Sequence, residues 1–131
     1  MSGNKAILDT NTIIFASKQQ LDIEKLFAKY DYFYVSVITY MEVYGYEFTN
    51  KKEKELIDTF FESIEIVETN KAIAEQVIVY RKSKLKKIKL PDAIILATSR
   101  YLEAELITDD WDDFQNIDKN VKIVAIDDFR L

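Results

Sequence analysis

The chain has 131 residues and a net charge of −5, and it contains no histidine, no cysteine, two glycines and one proline. This length is typical of one domain, residues 1–131, with its own hydrophobic core. The missing residue types exclude Ser–His–Asp and Cys–His catalysis, disulfides and Cys/His zinc sites, and two isolated glycines exclude a glycine-rich phosphate loop. Any catalyst in this chain must use carboxylates, hydroxyls, lysines or a bound hard cation.

The hydrophobic pattern predicts helices and strands that alternate along the chain. Short apolar or β-branched runs predict strands at 5–8, 32–36, 64–67, 105–108 and 121–126. Helical spacing predicts helices from about residue 10 and at 21–29, 37–48, 51–62, 70–86 and 91–104, with Asn70 as a cap and Pro91 in a first turn. This order predicts an α/β fold with a mostly parallel central sheet, covered by helices on both faces.

The bulk composition predicts where the protein resides. Hydrophobic residues make up 48% and charged residues 31%, as in ordinary globular proteins. No stretch resembles a signal peptide or reaches the roughly 20 apolar residues of a membrane span. We therefore expect a soluble, cytoplasmic protein without a membrane partner. The acidic balance, taken alone, disfavours a nucleic-acid partner.

Single acidic residues interrupt three otherwise uncharged segments. Asp9 is the only charge in residues 6–17, Glu42 the only one in 35–46, and Asp92 the only one in 90–99. A buried ionised carboxylate is unfavourable unless it meets a cation or becomes protonated. A helix cap or a helix dipole explains Asp9 and Asp92 equally well when each is taken alone. Glu42 lies within a predicted buried helix, so it cannot be a cap and requires a buried partner.

The predicted topology brings these carboxylates together. Asp9 follows the first strand, Asp92 begins a helix at the same edge, and an acidic run follows the fourth strand: Asp109, Asp110, Asp112 and Asp113. The carboxyl ends of parallel strands form the usual ligand crevice of open α/β sheets. Carboxylates that converge there repel one another unless a cation neutralises them. Oxygen ligands suit Mg²⁺ or Mn²⁺, which activates water by lowering its pKa.

Four segments resemble the PIN-domain ribonucleases, and more closely the VapC-type toxins of toxin–antitoxin systems: ILDTNTII at 7–14, SVITYMEVYGY at 36–46, LPDAIILATS at 90–99 and LITDDWDDF at 106–114. The resemblance extends over essentially the whole chain. It implies a catalytic and metal-binding set of Asp9, Glu42, Asp92 and Asp110. Asp113 is the neighbouring alternative for the fourth position, Asp109 is the less favoured one, and Asn11 and Thr108 are implied to support the site.

The same resemblance implies an activity and partners. The activity is that of an endoribonuclease dependent on Mg²⁺ or Mn²⁺, leaving a 5′-phosphate and a 3′-hydroxyl. The implied partners are an RNA substrate, a second copy of the chain in a homodimer, and a small cognate antitoxin that inhibits the enzyme. The number of bound metal ions, one or two, stays open at this stage.

A basic segment offsets the acidic balance of the chain. Residues 81–89 hold six of the 18 basic residues and no acid, and we call these six the basic strip: Arg81, Lys82, Lys84, Lys86, Lys87 and Lys89. The rest of the chain carries 12 basic and 23 acidic residues. Since the strip leads directly to Asp92, it predicts RNA binding beside the crevice. The alternative is a solvated helix end, where lysines are common. We expect the aromatic residues of 30–46 to serve in the core and in an interface.

Three other classes share part of this pattern. A HAD-like phosphohydrolase also has an aspartate after its first strand, but Asn11 stands where its second acid belongs. A receiver domain has an acidic pocket, but that class gives no reason for Glu42 in a helix. A catalytically silent PIN-type scaffold, which binds RNA or protein without cleavage, keeps every feature except the activity.

Overall fold

The computed structural model describes residues 4–131, in which helices and strands alternate as the pattern predicts. The strands are β1 (Lys5–Leu8), β2 (Tyr32–Ser36), β3 (Glu65–Val67), β4 (Glu105–Thr108) and β5 (Ile123–Ala125). The helices are α1 (Thr10–Ser17), α2 (Ile23–Lys29), α3 (Val37–Tyr44), α4 (Lys51–Phe61), α5 (Lys71–Lys82), α6 (Leu90–Leu102) and α7 (Trp111–Phe114), and a 3₁₀ helix follows at Ile126–Phe129. None of these helices is long and apolar enough to cross a membrane.

The five strands form one sheet in the order β3-β2-β1-β4-β5, and every pairing is parallel. β1 lies at the centre, where Ile7 is in register with Tyr34 of β2 and with Leu106 of β4. The predicted α/β class with a parallel central sheet is thus confirmed. The carboxyl ends of β1 and β4 lie side by side, so the residues that follow the two strands lie close together.

Alternate residues of the central strands pack on opposite faces of the sheet. Ala6, Leu8 and Ile107 belong to a core cluster that includes side chains of α1, α2 and α4. Ile7 and Leu106 belong to a second cluster with side chains of α5 and α6. Because side chains of a strand alternate between faces, a strand covered by helices on both sides is apolar throughout. Helices therefore cover both faces, as predicted.

Several element boundaries differ from the predicted ones. Asn70 accepts a hydrogen bond from the Ile73 amide and begins α5, as expected, but α5 ends at Lys82 rather than at residue 86. The last buried residue of α5 is Tyr80, and the backbone becomes extended at the C-cap Ser83, where the helix ends. α3 ends at Tyr44 rather than at residue 48, with Gly45 as its C-cap. The short helix α7 was not predicted.

A buried carboxylate connects α5, α6 and the loop before β5. Asp118, whose side chain is 3% exposed, accepts two bonds of 2.9 Å from Arg100 Nη1, one from the Tyr80 hydroxyl and one of 2.9 Å from the Asn120 amide. Burial opposes ionisation, but these donors outweigh it and lower the pKa of Asp118 below its usual value of 3.8. The network holds the loop after α7 against the helices.

We expect Asp118→Ala to lower the free energy of unfolding by about 2–3 kcal/mol at pH 7, because it leaves the buried Tyr80 hydroxyl without its acceptor. Because folding lowers the pKa of Asp118, its contribution is present above pH 3.8 and is lost as the pH falls through the lower folded value. Urea unfolding at pH 7 and below pH 4 measures both effects. Asp58→Ala is the control, because Asp58 also accepts from a tyrosine and a basic residue but is exposed. Equal losses in both variants would contradict the assignment.

Candidate functional site

The topology places the ends of β1 and β4 next to each other at one edge of the sheet. Asp9 directly follows β1, and its amide donates to the Ile107 carbonyl of β4 at 3.2 Å. Asp109 and Asp110 follow β4 in the same way. Asp92 lies in the first turn of α6, which begins at this edge, and Glu42 lies in α3, directly after β2. We call Asp9, Glu42, Asp92, Asp110 and Asp113 the acid cluster.

Asp9 is held by both oxygens of its carboxylate and is 5% exposed. Oδ1 accepts from the Thr12 amide at 2.9 Å and from the Thr12 hydroxyl at 2.6 Å, and Oδ2 accepts from the Thr108 hydroxyl. Asp9 is therefore the N-cap of α1 and also a member of the cluster, so the cap interpretation and the site interpretation both describe it. Burial raises the pKa of Asp9 even though the threonine donors lower it.

Thr108 connects the two strand ends that carry acidic residues. Its side chain is fully buried at the end of β4, donates to Asp9 Oδ2 and accepts from the Asp110 amide at 2.8 Å. One hydroxyl thus determines the position of Asp9 relative to the loop that carries Asp110. The supporting position predicted for Thr108 agrees with this geometry.

Glu42 is exposed, and the prediction that it needs a buried partner was wrong. Met41 on one side of it is 55% exposed, whereas Val43 on the other side is buried, together with Thr39. The uncharged sequence around Glu42 therefore does not indicate burial. Glu42 Oε1 instead accepts from the Thr10 hydroxyl at 2.6 Å, which directs the carboxylate toward the end of β1.

Two further residues that orient the carboxylates are threonines that the sequence analysis did not single out. Thr10 holds Glu42, and Thr12 holds Asp9. Asn11, which was predicted to support the site, lies exposed between them on the surface of α1. The sequence feature that could have identified them is their position on either side of Asn11, at the start of a predicted helix. Hydroxyls at a helix N-terminus bond readily to nearby acceptors.

Asp92 is the carboxylate on which the charges of the cluster act most strongly. Burial raises its pKa, and the neighbouring charges of Asp113, Asp9, Asp110 and Glu42 raise it further, to about 6. Four acidic side chains from α1, α3 and the β4–α7 region thus lie close enough to Asp92 to oppose its ionisation. All the charged neighbours that affect the pKa of Asp92 are negative, so a bound cation would be stabilised beside it.

The acidic run after β4 divides into residues with different surroundings. Asp113 exerts the largest electrostatic effect of any neighbour on Asp92, ahead of Asp110. Asp109 instead pairs with Arg130 at 3.1 Å, which gives it a structural partner. Asp110 is exposed overall. Partial desolvation of its carboxylate raises its pKa, and the charges of Asp113 and Asp109 raise it further, while Lys89 of the basic strip lowers it. Asp110 and its alternative Asp113 thus both act on Asp92, whereas Asp109 has a structural partner.

The donors of the acid cluster fit a hard divalent cation. All are carboxylate oxygens, and their mutual repulsion at Asp92 is what a cation would relieve. Among residues 4–131, no three acidic side chains come close enough together to form a ready-made ligand shell. Mg²⁺ typically keeps several waters and binds one or two protein carboxylates directly, so the spacing fits an ion that reaches the other acids through water.

The basic strip lies next to this cluster and is largely exposed. Lys89 is near enough to Asp110 to lower its pKa. Five of the six strip residues are exposed, whereas Lys86 is partly buried. The Lys86 ammonium donates to the carbonyl oxygens of Asp112 and Gln115, so it ties the strip to α7. Lys86 therefore has a partner within the chain that the other lysines of the loop do not share.

Comparisons with known proteins agree with the fold. The family model of the PIN domain matches residues 6–120. A toxin–antitoxin complex from Klebsiella pneumoniae matches with 30% identity and a TM-score of 0.69, over 88% of this chain and 94% of that chain. VapBC2 from Rickettsia felis, bound to a promoter DNA fragment, matches with 21% identity and a TM-score of 0.77, over 94% and 99% of the two chains.

DNA-bound VapBC from Salmonella typhimurium gives a similar match, with 22% identity and a TM-score of 0.77 over 93% of this chain and 98% of that chain. At such identities the Rickettsia and Salmonella structures show a common fold. No curated protein matches the chain significantly. The PIN match and the parallel sheet favour neither the HAD-like phosphohydrolase nor the receiver domain.

Proposed function

The chain belongs to the PIN domain family, and from this premise we propose that it is a VapC-type endoribonuclease that hydrolyses RNA phosphodiester bonds at the acid cluster. The observation that carries the proposal is the surroundings of Asp92. The charges of four other carboxylates raise the pKa of this partly buried one, at the edge of a parallel sheet where ligands usually bind. The stability of the fold does not require this repulsion between carboxylates, and a divalent cation would relieve it.

We propose that Asp9, Asp92 and Asp113 hold Mg²⁺ or Mn²⁺, directly or through water, with Asp110 and Glu42 as further acidic groups. A divalent ion in such a site supplies a water of lowered pKa and stabilises negative charge on the phosphate. The reaction is in-line hydrolysis, in which the water oxygen bonds to phosphorus and the 3′-oxygen leaves with a proton. The products are a 5′-phosphate and a 3′-hydroxyl.

The residues of this chain contribute orientation. Thr12 and Thr108 fix both oxygens of Asp9, and Thr10 fixes one oxygen of Glu42. Carboxylates held in this way lose little freedom when substrate binds, which favours the reacting geometry. Repulsion between the cluster and the RNA phosphates is offset at the edge of the site by the exposed lysines of the basic strip.

The partners proposed for this chain come from its structural neighbours. The structure from Klebsiella pneumoniae is a toxin–antitoxin complex, and those from Rickettsia felis and Salmonella typhimurium are VapBC complexes. We extend this arrangement to the present chain, as the toxin that a cognate antitoxin inhibits. A homodimer is part of the same proposal. Copurification of the chain with the product of a neighbouring small reading frame tests the antitoxin.

A catalytically silent PIN-type scaffold is the second candidate. The observation that favours it is that the carboxylates of residues 4–131 form no ready-made ligand shell. Such a protein would bind RNA or a partner at the same edge without cleaving RNA. The assay below distinguishes the two candidates.

We expect the purified protein to cleave single-stranded RNA with Mg²⁺ or Mn²⁺ and to lose this activity with a chelator, because the carboxylates alone supply no activated water. Gel analysis measures the cleavage, and sensitivity of the products to a 5′-phosphate-dependent exonuclease identifies their ends. Activity should return when excess Mg²⁺ or Mn²⁺ is added back. Cleavage that survives the chelator would overturn the metal mechanism, and the lack of cleavage of every RNA offered would favour the scaffold.

The basic strip predicts a salt-dependent contribution to RNA binding. We expect Lys84→Ala with Lys87→Ala to flatten the slope of log affinity against log salt by about 1.4, since each phosphate contact on a single strand contributes about 0.7. Fluorescence anisotropy of a labelled single-stranded RNA, from 50 to 300 mM salt, measures the slope. The matched control replaces Lys51 and Lys52, which are exposed on α4 at the other face of the sheet. An unchanged slope in the strip variant would contradict the prediction.

A further inference from the structure

A cavity outside the acid cluster is not used by the proposed reaction. Its volume is about 690 Å³, within the range of small-ligand sites. Its walls come from the end of α5, from the loop between α5 and α6, and from α7 with the residues that follow it. The lining combines apolar side chains and side-chain amides with charged residues: Val79, Leu85, Trp111, Gln76, Asn116, and Lys119 with the paired Arg100 and Asp118.

Trp111 is an aromatic residue shared by two cavities. It lines the 690 Å³ cavity. Together with Thr108, Asp109 and Asp110 it also lines a smaller cavity of about 340 Å³. The indole N–H donates to the Ile123 carbonyl of β5 at 3.3 Å, and this bond orients the ring. Even so, 42% of Trp111 remains exposed. The chain therefore presents an oriented aromatic surface one residue after Asp110.

The opposite wall belongs to the loop that carries the basic strip. Leu85 is 83% exposed and Val79 is 60% exposed, so apolar surface is open to solvent at this cavity. The bonds from Lys86 to the carbonyl oxygens of Asp112 and Gln115 hold the loop against α7 and keep the cavity formed. Lys84 and Lys87 lie on either side of Leu85 and Lys86 and are exposed. The cavity thus combines apolar side chains with charged ones, Arg100, Asp118 and Lys119, and the exposed Lys84 and Lys87 lie on the loop that supplies Leu85.

We propose that this cavity binds an unpaired nucleobase of the RNA substrate. The inference rests on the proposed ribonuclease function and adds a determinant of substrate choice to it. Proteins that recognise single-stranded RNA stack bases on aromatic side chains and bond to their polar edges. Trp111 offers the stacking surface, and the side-chain amides of Gln76 and Asn116 line the cavity as partners for a base edge. Lys119 in the lining, with the exposed Lys84 and Lys87 on the neighbouring loop, attracts the backbone phosphates.

The composition of the cavity favours a base over a protein segment as its occupant. A base has a flat apolar face and a polar edge, which matches one oriented indole with several amides. The lysines in the lining and on the neighbouring loop complement the phosphates that accompany every base.

Trp111 is the only tryptophan of the chain, so its fluorescence reports on this cavity directly. The test adds hexamers of adenylate, cytidylate or uridylate, or an abasic ribose-phosphate hexamer, to the protein in chelator, where no RNA is cleaved. We expect at least one base-containing hexamer to quench the tryptophan and to saturate together with the anisotropy of a labelled copy. The abasic hexamer should leave the fluorescence unchanged.

Variants separate stacking from other effects in the same binding assay. We expect Trp111→Leu to weaken binding of the preferred hexamer by about tenfold and Trp111→Phe to retain most of it, since base stacking requires an aromatic face. Leu85→Ala should also weaken binding. Tyr101→Leu is the matched control, because Tyr101 is a comparably exposed aromatic residue in the last turn of α6, away from the end that carries Asp92.

Hexamers that bind by anisotropy without changing Trp111 fluorescence would overturn the cavity assignment. Equal affinities of Trp111→Leu and Tyr101→Leu would overturn it as well, as would a fluorescence change that occurs only with a protein partner. None of these results bears on RNA cleavage, which the metal and chelator assay tests separately. Cleavage without tryptophan quenching would therefore refute the base site and leave the ribonuclease in place.

Discussion

Asp9→Asn is expected to lower kcat for RNA cleavage by about a thousandfold, which corresponds to roughly 4 kcal/mol of transition-state stabilisation. The substitution removes one negative charge and one anionic ligand from the centre of the acid cluster. It should preserve the fold, because asparagine is as good an N-cap as aspartate and its side-chain oxygen can still accept from the Thr12 amide. Initial rates with Mg²⁺ and with Mn²⁺, and thermal unfolding of the variant, measure both expectations.

The chain offers a matched control for this variant. Asp22 caps α2 as Asp9 caps α1, and its carboxylate accepts from the Lys25 amide at 3.1 Å. Asp22→Asn makes the same chemical change at a helix start outside the cluster, and we expect its cleavage rate to match that of the wild type. If Asp9→Asn kept wild-type activity, the observed cleavage would come from a contaminating nuclease or from another site.

Asp92→Asn is expected to have opposite effects on activity and stability. Cleavage should fall at least a hundredfold, because the variant loses a proposed metal-binding carboxylate. The metal-free protein should become more stable at pH 7 by about 1–2 kcal/mol, because burial and four neighbouring carboxylates disfavour the ionised Asp92. This range is smaller than the full shift implies, since solvent screens a partly exposed group.

The pH dependence identifies the cause of that gain. Folding raises the pKa of Asp92 from 3.8 to about 6, so the folded protein binds more protons than the unfolded chain between these values. The destabilisation by Asp92 is therefore complete above pH 6 and disappears as the pH falls toward 3.8. Urea unfolding in chelator should show wild type and Asp92→Asn converging between pH 7 and pH 4, and a gap that does not narrow would contradict this cause.

Glu24→Gln is the control for the stability gain. Glu24 also lies in the first turn of a helix, α2, but it is exposed and outside the acid cluster. Removing its charge should be neutral or slightly destabilising, because a negative charge near a helix N-terminus is favourable. A stability gain confined to Asp92→Asn would indicate that the cluster sacrifices stability for metal binding, as functional sites often do.

Local sequence patterns were sufficient for most of the secondary structure. β1, β2 and β4 begin and end where the apolar and β-branched runs do, and Asn70 caps α5 as its side chain predicts. These features depend on residues within a few positions of one another. Helix ends such as that of α5 were less accurate, because they depend on how far a helix remains in contact with the sheet.

The acid cluster likewise combines features that the sequence shows with features that depend on the fold. Asp9 and Asp92 stand out in the sequence because each is a single charge in an apolar segment. Their meeting depends on β1 and β4 being neighbours, and this pairing joins residues almost one hundred positions apart. Likewise, the hydroxyl that holds Asp9 Oδ2 belongs to Thr108, and the one that holds Glu42 belongs to Thr10. No local pattern contains such contacts.

The sequence established an acidic α/β protein without histidine or cysteine, with isolated carboxylates and one basic strip, because composition, charge and periodicity are properties of the chain itself. Only the tertiary structure decided that Glu42 is exposed, that Asp113 acts on Asp92 more strongly than Asp110, and that Asp109 pairs with Arg130. Burial and electrostatic interaction depend on distances between side chains from different elements. Those distances exist only once the strands have paired and the helices have packed against them.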